Sequence, residues 1–245
     1  MLVNYLLAAW HSPRQFDEVC PPPEKSTYYL EKQFEVLELL NHSLEQVTVI
    51  VPALEAAPKE FRDYIDNLPP SLANGTRIAV HTRENRNRSY GGYVDACHRY
   101  KDDFTHFMLV EDDYLPVVDD FDKLFLRYVN KQGGGYVCSL VQKAEGAAED
   151  HAACSVGMVC SPCMQAAYDE HQSLMHRGYG PFGIQAWFHK PITNRGYRLG
   201  SIGGEYRVPY TDVRYWPEYI VANEDAEQPP VFVPVQFLDE FFVKG

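Results

Sequence analysis

Short apolar runs alternate with amphipathic segments along the first half of the chain. Four runs are mostly apolar, at 2–10, 47–54, 76–82 and 105–110. Continuous rather than alternating apolarity is typical of strands that are buried on both faces of a parallel sheet. The pattern therefore predicts parallel strands at these four positions.

The segments between the runs have helical spacing. In the first, a Ser26/Thr27 cap precedes apolar positions three or four residues apart: Leu30, Phe34, Leu37 and Leu40. The segments 57–70 and 89–104 also predict helices, the latter weakened at its start by Gly91 and Gly92. Strand and helix thus alternate, which indicates right-handed βαβ units and an α/β fold.

The second half has weaker periodicity. The pattern predicts helices at 119–131, 161–175 and 184–199, and strands at 136–142 and 154–162. We expect Pro191 to interrupt the last helix and Gly196 to stop it. The tail after residue 202 is rich in aromatic residues and proline. Because the chain has no internal repeat and no convincing linker, we expect one domain over 1–245.

Charge and composition exclude several classes of protein. The chain has 245 residues, a formal net charge of −12 and 45% hydrophobic residues, as in an ordinary acidic globular protein. That charge disfavours a nucleic-acid partner. No apolar run is long enough for a membrane span, and the N-terminal run lacks the basic start of a signal peptide. We therefore predict a cytoplasmic protein with reduced cysteines.

Three adjacent acids follow the fourth run directly: Glu111, Asp112 and Asp113. Ligands of parallel α/β sheets bind beyond the carboxyl ends of the strands. Polar residues follow the other predicted strands as well: His11, Arg14, Glu55, Arg83, Asn85 and Arg86. Carboxylates spaced as Glu111 and Asp113 can bind Mg²⁺ or Mn²⁺, which shares its other positions with a diphosphate. A solvated turn that caps the next helix is the simpler alternative.

The order of these segments resembles the GT-A class of nucleotide-sugar glycosyltransferases. The resemblance lies in "LLAAWHSPR", "VTVIVPALE", the stretch from His81 to Phe121 and "FGIQAWFHKPITNRGYRL". It implies a single Rossmann-like GT-A domain with a mostly parallel central sheet flanked by helices. Residues 1–115 would bind the nucleotide sugar and 116–245 the acceptor. The implied activity is metal-dependent transfer of a sugar from a nucleotide diphosphate, UDP above all, to a carbohydrate hydroxyl in glycan biosynthesis, with Mn²⁺ or Mg²⁺ as cofactor.

The resemblance also implies residue roles. The acids match the DxD-type motif, with Asp113 as main metal ligand at an exposed rim, and Glu111 or Asp112 facing the ribose or reaching the metal through water. The remaining matches are the nucleobase loop, the acid after the second strand and the donor-side loop: Ala9, Trp10, Arg14, Glu55, Arg83 and Asn85.

Two departures from that class concern the chemistry. Gln185 stands where many inverting members have an acid, and an amide cannot be a general base. We therefore favour retention of configuration, with Glu205 and Asp212 as the nearest candidate bases if the enzyme inverts. No histidine follows His189 to serve as a late metal ligand.

A non-catalytic carbohydrate- or nucleotide-binding protein on a decayed transferase fold is the alternative. Nucleotidyl transfer is disfavoured because no glycine-rich phosphate loop follows the first strand.

Two further patterns have a structural and a functional interpretation. His151, Cys154, Cys160 and Cys163 have spacing that could bind zinc, although "CSVGMVCSPC" favours a buried strand entering a helix. Cys160 and Cys163 form a CxxC motif, but it opens no redox-type βαβ unit. The tail aromatics suit the apolar face of an acceptor sugar or the core equally well: Tyr206, Tyr210, Tyr215, Trp216 and Tyr219.

Overall fold

The protein is described from a computed structural model. The structure describes residues 1–11, 25–86, 88–131, 135–138, 141–142, 151–152, 156–165, 168, 190–202, 205–206, 220–221 and 230–235. Within these, the backbone alone is described for several short segments, His151 and Glu205 among them.

The strands lie close to the apolar runs of the sequence. In chain order they are β1 Val3–Ala8, β2 Gln46–Pro52, β3 Arg77–Arg83, β4 His106–Glu111, β5 Tyr114–Pro116, β6 Gly135–Cys138, β7 Val141–Gln142, β8 His151–Ala152, β9 Val156–Cys160, β10 Arg198–Ser201, β11 Glu205–Tyr206, β12 Ile220–Val221 and β13 Pro230–Pro234.

The helices occupy the segments between them. They are α1 Tyr28–Leu39, α2 Lys59–Asp66, α3 Arg88–Arg99, α4 Phe121–Lys131 and α5 Lys190–Asn194, with a 3-10 turn at Leu54–Ala56 and a short helical segment at 161–165. None of the helices in the described ranges is long and apolar enough to cross a membrane.

The central sheet has seven strands in the order β10-β6-β9-β4-β1-β2-β3. All neighbours pair in parallel except at β9, which runs antiparallel to both β4 and β6. The predicted mixed α/β fold with a mostly parallel central sheet flanked by helices is thereby confirmed. Since β1, β2, β3 and β4 all point the same way, their carboxyl ends meet at one edge of the sheet.

Two apolar clusters cover the two faces of this sheet. Side chains alternate along a strand, so Tyr5 and Leu7 pack into one cluster with α1 and α4, whereas Leu6 packs into the other with α3. All three side chains are fully buried. A strand with an apolar core on both faces has no face open to solvent, which is why β1, β2 and β4 are mostly apolar. Two of their few polar side chains are hydrogen-bonded to each other within the sheet, where Thr48 Oγ1 donates to Asn4 Oδ1 at 2.9 Å.

The second half differs from its predicted elements in three places. The helix predicted over 184–199 is wrong at its end, because Arg198–Ser201 is a strand, and Pro191 lies in the first turn of α5 instead of interrupting a helix. The strand predicted over 136–142 is two strands that belong to different sheets, β6 and β7. The aperiodic tail supplies β13, which pairs antiparallel with β5 directly after the acids.

Candidate functional site

A cavity of about 560 Å³ opens at the carboxyl ends of the parallel strands. Its wall comes from the ends of the first four strands of the sheet and from the start of α3: Ala8, Ala9, Trp10, Ile50, Pro52, Arg83, Asn85, Ser89 and Glu111. Five of these are residues for which the resemblance implies donor binding: Ala9, Trp10, Arg83, Asn85 and Glu111. The structure brings them together from three different strand ends.

Glu111 carries the negative side of the cavity. It is the last residue of β4 and is half-buried, and its Oε1 accepts a hydrogen bond from Ser89 Oγ at 2.7 Å. Ser89 lies in the first turn of α3 and also lines the cavity. This hydroxyl fixes one carboxylate oxygen while the residue still faces the cavity. Sequence reasoning missed Ser89, because a serine in the first turn of a helix carries no signal of its own.

Asp112 points away from the cavity and supports its wall. It is 1% exposed, and its Oδ2 accepts a hydrogen bond from the backbone N–H of Trp10 at 2.7 Å. Its own N–H donates to the Ala8 carbonyl at 3.2 Å. Asp112 therefore holds the segment that follows β1, including a predicted nucleobase-contacting residue, and it is not among the residues lining the cavity.

Asp113 is more enclosed than the sequence suggests, with 9% of its surface exposed instead of a place on an open rim. Its carbonyl accepts a hydrogen bond from Val235 N at 2.8 Å, which joins the acidic turn to the end of β13. The Gln33 amide nearby donates to the carbonyls of Asp112 and Tyr114 at 3.2 and 2.5 Å. The backbone of the acidic turn is thus fixed from both sides.

Arg83 supplies positive charge to the cavity wall. Its Nε donates to Asp95 Oδ2 at 2.8 Å, and its Nη2 donates to the Arg86 carbonyl at 2.9 Å. The side chain is only 8% exposed, so these contacts hold it against α3. A Cβ at Gly91 would lie 2.8 Å from Arg83 Nη2 and would collide with the Arg86 carbonyl. The glycine that weakens the helix therefore makes room for the arginine.

The N-terminal end of α3 adds to this positive side. The helix has 12 residues, and its first turn carries no acidic residue. The free N–H groups and the dipole of a helix N-terminus favour anions. Together with Arg83 they make this part of the cavity suited to an anionic group. Glu111, which contacts the same helix start through Ser89, adds a carboxylate suited to a cation.

His11 supports the aromatic wall. Its ring stacks on Trp10 with centroids 5.2 Å apart and planes 16° apart, and it meets Phe61 edge-on at 5.8 Å. Burial lowers the pKa of His11, which favours the neutral ring.

Glu55 does not line the cavity. It is exposed in the 3-10 turn, where its carbonyl accepts a hydrogen bond from Arg62.

Several predicted functional residues lie outside the described part of the chain: Arg14, Cys154, Gln185, Tyr210, Asp212, Tyr215, Trp216 and Tyr219. For Glu205, Tyr206 and His151 the backbone is described, in β11 and β8. The catalytic, acceptor and zinc assignments of these residues stay predictions.

The carboxylate oxygens of the acids are suitable ligands for a hard divalent cation. Carboxylate oxygens are the ligands Mg²⁺ and Mn²⁺ prefer, and Glu111 presents its carboxylate to the cavity. Within the described residues no three His, Cys, Asp or Glu side chains form a group that could hold a metal ion. Such a cation would therefore need further oxygen ligands from a bound molecule or from water.

The sequence matches no protein-family model and no curated protein. Solved structures with a similar fold include the mannosyltransferase PcManGT from Pyrobaculum calidifontis in complex with GDP-Man and Mn²⁺, with a TM-score of 0.53 and 10% identity over 87% of this chain and 59% of that one. They also include a Bacillus anthracis protein described as a glucose-1-phosphate thymidylyltransferase, in complex with sucrose, with a TM-score of 0.50 and 12% identity over 84% of this chain and 87% of that one. At such identities the likeness shows the fold alone, a Rossmann-like α/β architecture.

Proposed function

We propose that the protein is a metal-dependent glycosyltransferase that moves a sugar from a nucleotide diphosphate, preferentially UDP, to a carbohydrate hydroxyl. The observation that carries the proposal is the cavity at the strand ends, whose wall contains the Glu111 carboxylate, the Arg83 guanidinium and the start of α3. A diphosphate bridged to a divalent cation presents both signs of charge, as this cavity does. The fold shared with PcManGT is consistent with it.

Different residues of the cavity would contact different parts of the nucleotide-sugar donor. Trp10 and Ala9, held by Asp112 and backed by His11, would face the nucleobase with an apolar and aromatic surface. Arg83 and Asn85 would lie on the side of the diphosphate, and the N–H groups at the start of α3 would contribute there. The Trp10 backbone and the Arg83 side chain are fixed before a ligand arrives, which lowers the ordering cost of binding.

The cofactor we propose is Mn²⁺ or Mg²⁺. Glu111 would hold it from the cavity wall. Asp113, the other ligand that the acidic motif suggests, does not itself line the cavity and would contribute from the adjoining turn. Bound there, the ion would compensate negative charge on a departing diphosphate. Ser89 would keep the Glu111 carboxylate in one orientation through its hydrogen bond.

For the sugar-transfer step we propose retention of configuration with Gln185 facing the anomeric carbon. The departing phosphate can take the acceptor proton on the same face, so no protein base is needed. Glu205 and Asp212 are the candidate bases if configuration inverts. NMR of the first-formed product reads the anomeric configuration directly, and an inverted product would overturn this part of the proposal.

Nucleotidyl transfer is the second candidate, since the similar Bacillus anthracis structure is described as a thymidylyltransferase. That reaction would join a nucleoside triphosphate to a sugar phosphate and release pyrophosphate. The residues after β1, "AWHSPR", contain no glycine and so offer no glycine-rich phosphate loop. We therefore rank glycosyl transfer first.

One set of measurements separates the candidates. Calorimetry with UDP, GDP, CMP and nucleoside triphosphates, each with and without Mn²⁺, is followed by assays of donor hydrolysis and of pyrophosphate release. Mn²⁺-dependent diphosphate binding with slow donor hydrolysis is the expected result. Pyrophosphate release from a triphosphate would select nucleotidyl transfer, and binding without turnover would select the non-catalytic alternative. Absence of nucleotide binding with every divalent ion would overturn the proposal as a whole.

A further inference from the structure

The two cysteines of the CxxC motif lie far from the cavity. In the pairing of β9 with β4, Cys160 is opposite His106 at the start of β4, whereas Val156 is opposite Val110, next to Glu111. Because β9 runs antiparallel, Cys160 lies at the edge of the sheet away from the strand ends that form the cavity. Any chemistry of this pair is therefore separate from the proposed nucleotide site.

The sulfur atoms are already in contact. Cys160 Sγ and Cys163 Sγ lie 2.7 Å apart as free thiols that share a hydrogen bond. A disulfide bond is about 2.05 Å long, so joining the two requires only a small displacement. The turn between them is anchored from outside, because Ser161 N donates to the Thr105 carbonyl and Ser161 Oγ to the Lys101 carbonyl, both at 2.9 Å.

The two thiols differ in access and in acidity. Cys160 is half-buried, whereas Cys163 is fully buried. The hydrogen bond from the Cys163 thiol lowers the pKa of Cys160 to about 6, and backbone N–H groups of Cys163 and Gly135 act in the same direction. The same hydrogen bond raises the pKa of Cys163. The less buried sulfur is thus the more acidic one, and the more buried sulfur is the less acidic one beside it.

From this geometry we propose that Cys160 and Cys163 form a thiol–disulfide exchange site whose partner is a small-molecule disulfide. The Cys160 thiolate attacks one sulfur of the partner, forming a mixed disulfide and releasing one thiolate. Cys163 then loses its proton, and its sulfur attacks Cys160 Sγ, which releases the second thiolate. Two thiols of the protein are oxidised and one disulfide is reduced to two thiols, so electrons and protons balance.

The test uses the full chain and glutathione disulfide as the probe. Reduced protein is incubated with it, quenched in acid, alkylated and mapped by peptide mass spectrometry. We expect one product, a Cys160–Cys163 disulfide that dithiothreitol reverses. C163S should instead accumulate the mixed disulfide with glutathione at Cys160, because the second attack has no sulfur. In C160S the rate at which the protein consumes glutathione disulfide at pH 7 should fall by at least about fourfold. Compared with an ordinary thiol, Cys160 has a larger thiolate fraction because of its low pKa but also a lower nucleophilicity, and the estimate is the net of these two effects.

C97S is the matched control, since Cys97 is fully buried and burial raises the pKa of its thiol. This variant should form the disulfide at the wild-type rate. Wild-type protein that stays reduced, or that links either sulfur to another cysteine, would overturn the proposal, and so would an unchanged rate in C160S. The wild-type map needs no variant, so a substitution that impairs folding leaves the test intact. None of these outcomes depends on whether the cavity binds a nucleotide.

Discussion

Glu111 is the residue at which the proposed site can be tested most cleanly. Gln in its place removes the charge but can still accept the Ser89 hydrogen bond, so the fold should persist. Mn²⁺-dependent affinity for UDP should fall by roughly 10- to 100-fold, the range for loss of a charged interaction. Titration calorimetry at fixed Mn²⁺ measures this.

Glu84→Gln is the control for that change. Glu84 lies on the same rim, but its side chain is 75% exposed and pairs with Arg86 on the surface. Its neutralisation should leave the UDP dissociation constant unchanged. Equal effects of the two substitutions would mean that only net charge matters and that Glu111 has no specific role.

Arg83 serves the fold as well as the cavity. Its guanidinium joins Asp95 to the Arg86 carbonyl, so Arg83→Ala should lower the free energy of unfolding by about 1–3 kcal/mol in addition to weakening UDP binding. Denaturant unfolding and calorimetry report the two effects separately. Arg86→Ala, whose side chain is 62% exposed, keeps the carbonyl that Arg83 needs and should change stability little. Full stability of Arg83→Ala would contradict the contacts described here.

At the scale of elements, α3 shows that helix propensity alone can predict a stability change in the wrong direction. Helix propensity alone says that Gly91→Ala should stabilise the protein by about 1 kcal/mol. A Cβ at this position would meet Arg83 Nη2 at 2.8 Å and the Arg86 carbonyl more closely still. We therefore expect a net loss of about 1–3 kcal/mol, measured by denaturant unfolding. A stabilised variant would show that the loop before α3 moves aside at little cost.

Elements with one strong signal could be predicted from sequence. Strands β1, β2 and β4 are mostly apolar because both of their faces are buried, and α1 carries its apolar positions at helical spacing. By contrast, β5 has three residues and β12 two, too few for a period to appear. The pairing of β5 with β13 joins residues more than 100 positions apart, which local patterns do not contain, and β12 pairs with β13 across a segment of the aperiodic tail.

The candidate site was predictable to the extent that topology fixes it. Parallel strands bring their carboxyl ends together, so the polar residues that follow them were expected at one edge, and Trp10, Arg83, Asn85 and Glu111 are found there. The direction of each side chain was not predictable. Asp112 turns into the backbone of the neighbouring strand end, which no spacing along the chain reveals.

For the molecule as a whole, buried histidines should make stability depend on pH. Burial lowers the pKa of His11, His81 and His106 below the ordinary value of about 6.5, so each takes up a proton more readily when unfolded. The contribution of these histidines to the free energy of unfolding should therefore be at its maximum above about pH 6.5 and should decrease as the pH falls below that value. Thermal unfolding between pH 5 and 8 measures the trend.

His106→Gln isolates one contribution to that trend. His106 is 8% exposed and contacts Thr105 Oγ1 at 3.0 Å, a bond that an amide can replace. The variant should lose less stability than the wild type between pH 7 and pH 5, with the two proteins close together at pH 8. An identical pH profile would show that His106 is not protonated on unfolding in this range.

The antiparallel strand β9 also constrains how the chain is made. Emerging from the ribosome in order, β1 to β4 can assemble well before residue 156 is synthesised, and β4 then forms the outer strand of a four-stranded sheet. That strand is buried and apolar in the finished protein, so until β9 arrives it presents unpaired backbone groups to other nascent chains. Pauses in translation between residues 111 and 156 should therefore promote aggregation, and chaperones that cover strand edges should have their greatest effect in that interval.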